Sequence, residues 1–97
     1  MPYLKKLDRD RIITNLRHCQ VSNVGELNFA INHLVMKLLS NYAQLGYGEL
    51  NDVIGAMESS KLEFYRRIVV PYEQGKIRDN GDCFQDFIRD HNLPTLF

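Results

Sequence analysis

The stretch Glu49–Ile77, ELNDVIGAMESSKLEFYRRIVVPYEQGKI, decides the fold. Leu50, Val53, Ile54, Met57, Phe64 and Ile68 all project within one face at about 100° per residue, so the spacing predicts a long amphipathic helix. It should start near Glu49 and stop near Pro71, because proline lacks a backbone donor and crowds the preceding turn. Tyr72–Lys76 then reads as a break. Lys61 projects into the apolar face as well. Burying an unpaired ammonium costs several kcal/mol, whereas a fully buried aliphatic side chain returns only ~1.5–3 kcal/mol. Lys61 must therefore be partnered, snorkelling to water, or placed for a ligand.

Working towards the N-terminus, LGYG (45–48) closes a preceding helix, since Gly46 and Gly48 can supply the loose or left-handed turn that a helix end favours. In that second helix Leu27, Ile31, Leu34, Val35, Leu38 and Tyr42 recur at three- and four-residue steps, with Ser22 or Asn23 as its cap. A shorter first helix carries Ile12, Ile13 and Leu16, with Asp8 as its expected N-cap. Towards the C-terminus Asn80-Gly81 is a turn signal, and Phe84, Phe87 and Ile88 have the spacing of a final short helix. The expected architecture is all-α: a helical hairpin of two long antiparallel helices, flanked by short N- and C-terminal helices, in a single helical domain spanning residues 1–97.

The composition narrows the function classes. The chain of 97 residues is short enough to be one domain with a thin core. With 44% hydrophobic and 25% charged residues it lies in the ordinary globular range. Twelve Lys and Arg balance twelve Asp and Glu, which removes the positive field that indiscriminate DNA binding requires. The two cysteines, Cys19 and Cys83, form no C-x-x-C pair, so neither a disulfide framework nor a zinc site is indicated. A reducing cytoplasm, that of a host cell, is the expected compartment. No apolar segment approaches the roughly 20 residues needed to cross a bilayer, and Met1–Lys6 leads into no signal-peptide hydrophobic region.

Both long helices carry more apolar surface than one contact would need. The second helix has a further line, Phe29, Met36 and Ala43, at heptad spacing and almost opposite its main stripe. The third adds Leu62, Tyr65 and Val69, offset by about a quarter to a third of a turn. Helices this apolar all round are usually covered on two sides, and a second protomer is the simplest cover. A homo-oligomer is expected; the alternative is that the terminal segments fold back over both faces.

Lys61, Tyr65, Arg66, Arg67, Tyr72 and Lys76 concentrate cationic and phenolic groups near one helix end, a set able to hold phosphate or carboxylate oxygens. The plainer alternative pairs Glu63 with Arg67 and Glu58 with Lys61, leaves Arg66 facing water, and uses the charges to complement the helix dipole. His18, His33 and His91 lack the i, i+4 spacing that puts two imidazoles on one metal. Asp52 and Glu63 share a face but stand about 16 Å apart at 1.5 Å per residue, too far for a shared magnesium ion. Ser59 and Ser60 have no nucleophile-elbow setting. Asn80-Gly81-Asp82 could cradle an anion with backbone donors, although a plain turn explains it. No metal, cofactor or catalytic residue is expected, and the chain reads as a non-enzyme.

The segments KLEFYRR (61–67), PYE (71–73) and NGD (80–82), with GELNFAINHLVMKLL and the opening MPYLKKLDRD, resemble a family of small uncharacterised proteins encoded by bacteriophages and prophages. The likeness spans most of the chain and departs after Cys83, where FQDFIRDHNLPTLF continues. The resemblance implies a phage context and carries no established activity. Together with the residues it leads to an expected non-enzymatic phage accessory protein that self-associates and binds an anionic, nucleotide-like ligand, plausibly sequestering a host-defence signal. The rival expectation is a helical protein–protein interaction module docking a host or phage protein.

Overall fold

A computed structural model describes residues 3–95 of the chain. Every regular element among them is helical. In order these are α1 (Lys6–Leu16), α2 (Val24–Leu39), α3 (Tyr47–Phe64), a π-helical turn (Tyr65–Val69), α4 (Val70–Asn80) and α5 (Gln85–Asp90). The chain divides into two units, Met1–Leu45 and Gly46–Phe97.

In the first unit, α1 is extended backbone at Lys5 followed by helix, and no side chain caps it. Asp8, expected as the cap, instead sits in the first turn, where its charge complements the helix N-terminus. The start of α2 is better specified. Asn23 Oδ1 accepts the Glu26 amide at 2.9 Å, and the Glu26 carboxylate accepts the Ser22 amide at 3.0 Å, a reciprocal arrangement that satisfies two otherwise orphaned donors. The expected cap at Asn23 is thus present. The helix ends at Leu39, earlier than the LGYG signal suggested, so Tyr42 and Ala43 lie in the connecting turn. The amides of Ser40, Asn41 and Tyr42 return to Met36, Leu38 and Leu39, tightening the last turn. Gly46 does not end α2; it is the N-cap of α3.

That cap opens the second unit. Glycine has no side chain to offer, so only half of a capping box forms, with the Glu49 carboxylate accepting the Gly46 amide at 3.0 Å. From Tyr47 to Asn80 the backbone is then helical throughout, a rod of roughly 50 Å at 1.5 Å per residue. The expected stop at Pro71 and the break over Tyr72–Lys76 are corrected: α4 runs straight through both. The reason is the π turn. Pro71 has no N–H to give to the Arg67 carbonyl, and its ring would press on that carbonyl in an ordinary α-turn. One residue earlier the Val70 amide reaches back five residues to Tyr65, and the widened turn accommodates the proline without ending the helix.

α4 stops where the turn signal placed its end. Gly81 takes φ +84°, a left-handed conformation that costs glycine little, and its amide closes on the Ile77 carbonyl at 2.8 Å. Asp82 Oδ1 then accepts the Phe84 amide at 2.9 Å and launches α5. At the far end Asn92 adopts φ +57°, with the Leu93 amide on the Ile88 carbonyl and the Asn92 amide on Arg89, a complete Schellman closure.

Little of this is buried. Val53, 8% exposed, is the one buried residue among those described, and Leu27, Leu34, Ile54, Phe64 and Ile68 are all exposed.

Candidate functional site

The π turn changes which side chains share a face. Tyr65 and Glu73 are eight residues apart, which in an uninterrupted α-helix would set them about 80° apart; the extra residue of the π turn brings them to within about 20°. The Tyr65 hydroxyl consequently donates to the Glu73 carboxylate, 3.3 Å from each oxygen. The negative charge of Glu73, and then the hydrogen bond itself, push the Tyr65 phenol above its ordinary pKa.

Lys76 and Asn80, further along α4, line the same hollow as Tyr65 and Glu73. This concavity of ≈ 460 Å³ is closed at one end by the turn from Gly81 to Phe84. Lys76 Nζ stands 5.6 Å above the centre of the Tyr72 ring, one turn back. Of the six residues expected to hold an anion, the structure therefore gathers Tyr65 and Lys76 around one concavity, with Tyr72 beside them. Sequence reasoning did not place Glu73 or Cys83 at this site, and it weighed Asp82 only within Asn80-Gly81-Asp82, as a backbone anion cradle or a plain turn. The PYE segment was the available signal for Glu73.

The remaining cations are engaged locally. Lys61 Nζ lies 3.3 Å from Glu58 Oε1 and is 71% exposed; the ammonium is partnered and wet, as the plainer of the two readings had it. Arg66 lies about 140° round the helix from Lys61, where it donates to Glu63 Oε2 at 2.8 Å instead of simply facing water. Arg67 approaches the other Glu63 oxygen at 4.0 Å. The hydrogen bond from Arg66 is the main reason that the Glu63 carboxyl titrates below its ordinary value. Exposed pairs of this kind each contribute only ~0.2–1 kcal/mol.

The expected interface residues fall as follows. Phe29 and Met36 are exposed on α2. Phe29 stacks on His33, ring centres 6.0 Å apart, and with Cys19, Val21, Ala30 and Leu34 it lines an open hollow of ≈ 620 Å³. Ala43 does not continue that line, because α2 has already ended. Leu62 is exposed on α3 and Val69 half-buried in the π turn. Both Cys19 and Cys83 are free and exposed. Among the described residues no group of three or more His, Cys, Asp or Glu is placed to hold a metal ion, and no helix is long and apolar enough to cross a membrane.

Residues 1–83 match the family model DUF6899, a domain of unknown function. The chain belongs to this family. The DUF6899 match ends at Cys83, so it takes in α1 to α4 and the Gly81 turn, and leaves α5 outside. No curated protein and no solved structure matches the chain.

Proposed function

We propose that this protein is a non-enzymatic helical interaction module that self-associates and docks a phage or host protein through the apolar faces of α2 and α3. One observation carries the reading: a single described side chain, Val53, is buried, while most of the other apolar positions that periodicity assigned to a core stand open and Ile12, Val35, Met57 and Ile88 are half-buried. Most protein helices are held by packing of an amphipathic face and not by propensity, and apolar faces this extensive ordinarily mark interaction surfaces. The antiparallel hairpin of α2 and α3 and its packing into a homo-oligomer belong to this proposal. The resemblance to phage-encoded proteins supplies the setting, an accessory protein at work in the host cytoplasm. Light scattering of the pure chain tests self-association, and a monomer mass at high concentration ends the proposal. Pull-down from host lysate then tests docking, for which a stoichiometric polypeptide is expected.

A second reading, sequestration of an anionic, nucleotide-like ligand, is favoured by the re-phasing at the π turn. Counting its extra residue, Lys61, Arg67, Tyr72 and Lys76 occupy one side of the rod. Glu58 and Glu63 already engage Lys61 and Arg67 of this set, and Glu73 engages the neighbouring Tyr65, which is why the reading ranks second. Calorimetry against a panel of cyclic and linear nucleotides decides it, and no heat from any of them removes it.

A further inference from the structure

We infer that α3 carries a coiled-coil seam for a second copy of the chain, with Lys61 as the polar position that fixes how the copies meet. The inference rests on the self-association proposed above and names its surface. From Tyr47 the steps alternate three and four: Tyr47, Leu50, Ile54, Met57, Lys61 and Phe64. These are the a and d positions of a heptad repeat, with Tyr47, Ile54 and Lys61 at a and with Leu50, Met57 and Phe64 at d. Five of the six are large and apolar. The exception is the residue that periodicity alone could not explain.

A single lysine at an a position of such a seam specifies register and oligomeric state at a cost in stability. Lys61 suits that role because its charge is partly answered within its own chain. Glu58, at the edge of the seam, sits 3.3 Å from its ammonium, and the long aliphatic stem can lie along the apolar surface while the charged end stays in water.

The seam is open to receive a partner. Tyr47 is 83%, Ile54 60% and Phe64 61% exposed, Leu50 is exposed as well, and Met57 is half-buried. Their uncovered side chains amount to roughly 300–400 Å² of apolar surface on each copy. Two copies with their polar rims reach about the 1,000 Å² in total that separates a specific interface from an incidental contact. A stripe of this kind is complementary to itself, because the knobs of one helix fit the holes of an identical one, so a second copy satisfies it without any further partner.

The test compares sedimentation equilibrium of the wild type, Lys61→Ile and Ile54→Asp in reducing buffer, with helicity followed by circular dichroism. Lys61→Ile should tighten association about tenfold or more and spread the mass over more than one stoichiometry, since an apolar residue replaces a charge at the seam. Ile54→Asp should leave the chain monomeric. An oligomeric wild type whose mass and affinity ignore both changes overturns the seam and leaves self-association standing. A monomeric wild type overturns both. Unchanged helicity in the circular dichroism of Lys61→Ile separates tightened assembly from aggregation of a misfolded chain.

Discussion

α3 and α4 are consecutive lengths of one helix, yet they are built for different surroundings. Among the described residues α3 holds the one that is buried, Val53, and an apolar line along its length; α4 holds none that is buried, and its Glu73 and Lys76 line the concavity with Tyr65 of the π turn. Between them five residues of π helix turn the second length relative to the first. The contrast teaches that a proline inside a helix can act as a phase adjustment instead of a stop. Without the extra residue, Tyr65 and Glu73 would face different directions.

The largest expected effect lies on the α3 side. Val53→Asp places an unpartnered charge at a buried site and should cost on the order of several kcal/mol, seen as a large loss of helical circular dichroism on mild heating. The matching change in α4, Tyr72→Asp, falls on an exposed residue and should stay within about 0.5 kcal/mol. Equal losses from the two would erase the distinction between the segments.

Next in size is Pro71→Ala. It restores a backbone donor and removes the ring, so the π turn should relax to α and the chain should gain about 1–3 kcal/mol, read as a raised Tm. The same change should turn Glu73 away from Tyr65, and the phenol should then titrate near its ordinary value. A variant that keeps the raised Tyr65 pKa shows that proline is not what holds the π turn open.

The smallest effect concerns pH. The folded pKa of Tyr65 is raised, so the stabilisation from its bond to Glu73 is fully present below the ordinary phenol value and is lost as pH rises through the raised one. In an ultraviolet absorbance titration Tyr65 should ionise later in the wild type than in a Glu73→Gln variant. Identical curves from the two would remove the Tyr65–Glu73 contact from the folded protein.

The helical class was legible because three- and four-residue apolar spacing persists through α2 and α3, and the cap at Asn23 and the turn at Gly81 carry residue types with few other uses. The course of the chain from Pro71 to Lys76 was not legible. Local rules score proline by the α-turn it disrupts, and a π turn escapes that penalty with no residue pattern of its own. Of the residues that chemistry singled out for an anion, Tyr65 and Lys76 line the concavity and Tyr72 stands beside Lys76. Glu73 was missed because its alignment with Tyr65 exists only after the extra residue is counted. Periodicity placed Lys61 on the apolar face, but it describes a face and not what covers it, and the structure shows the ammonium exposed and paired with Glu58.

The two uncapped sulfhydryls at residues 19 and 83 have a practical outcome for anyone weighing these molecules. Left in air, accessible thiols on an associating protein are brought together often enough to become intermolecular bridges, and a covalent ladder on a non-reducing gel would then mimic assembly that owes nothing to helix faces.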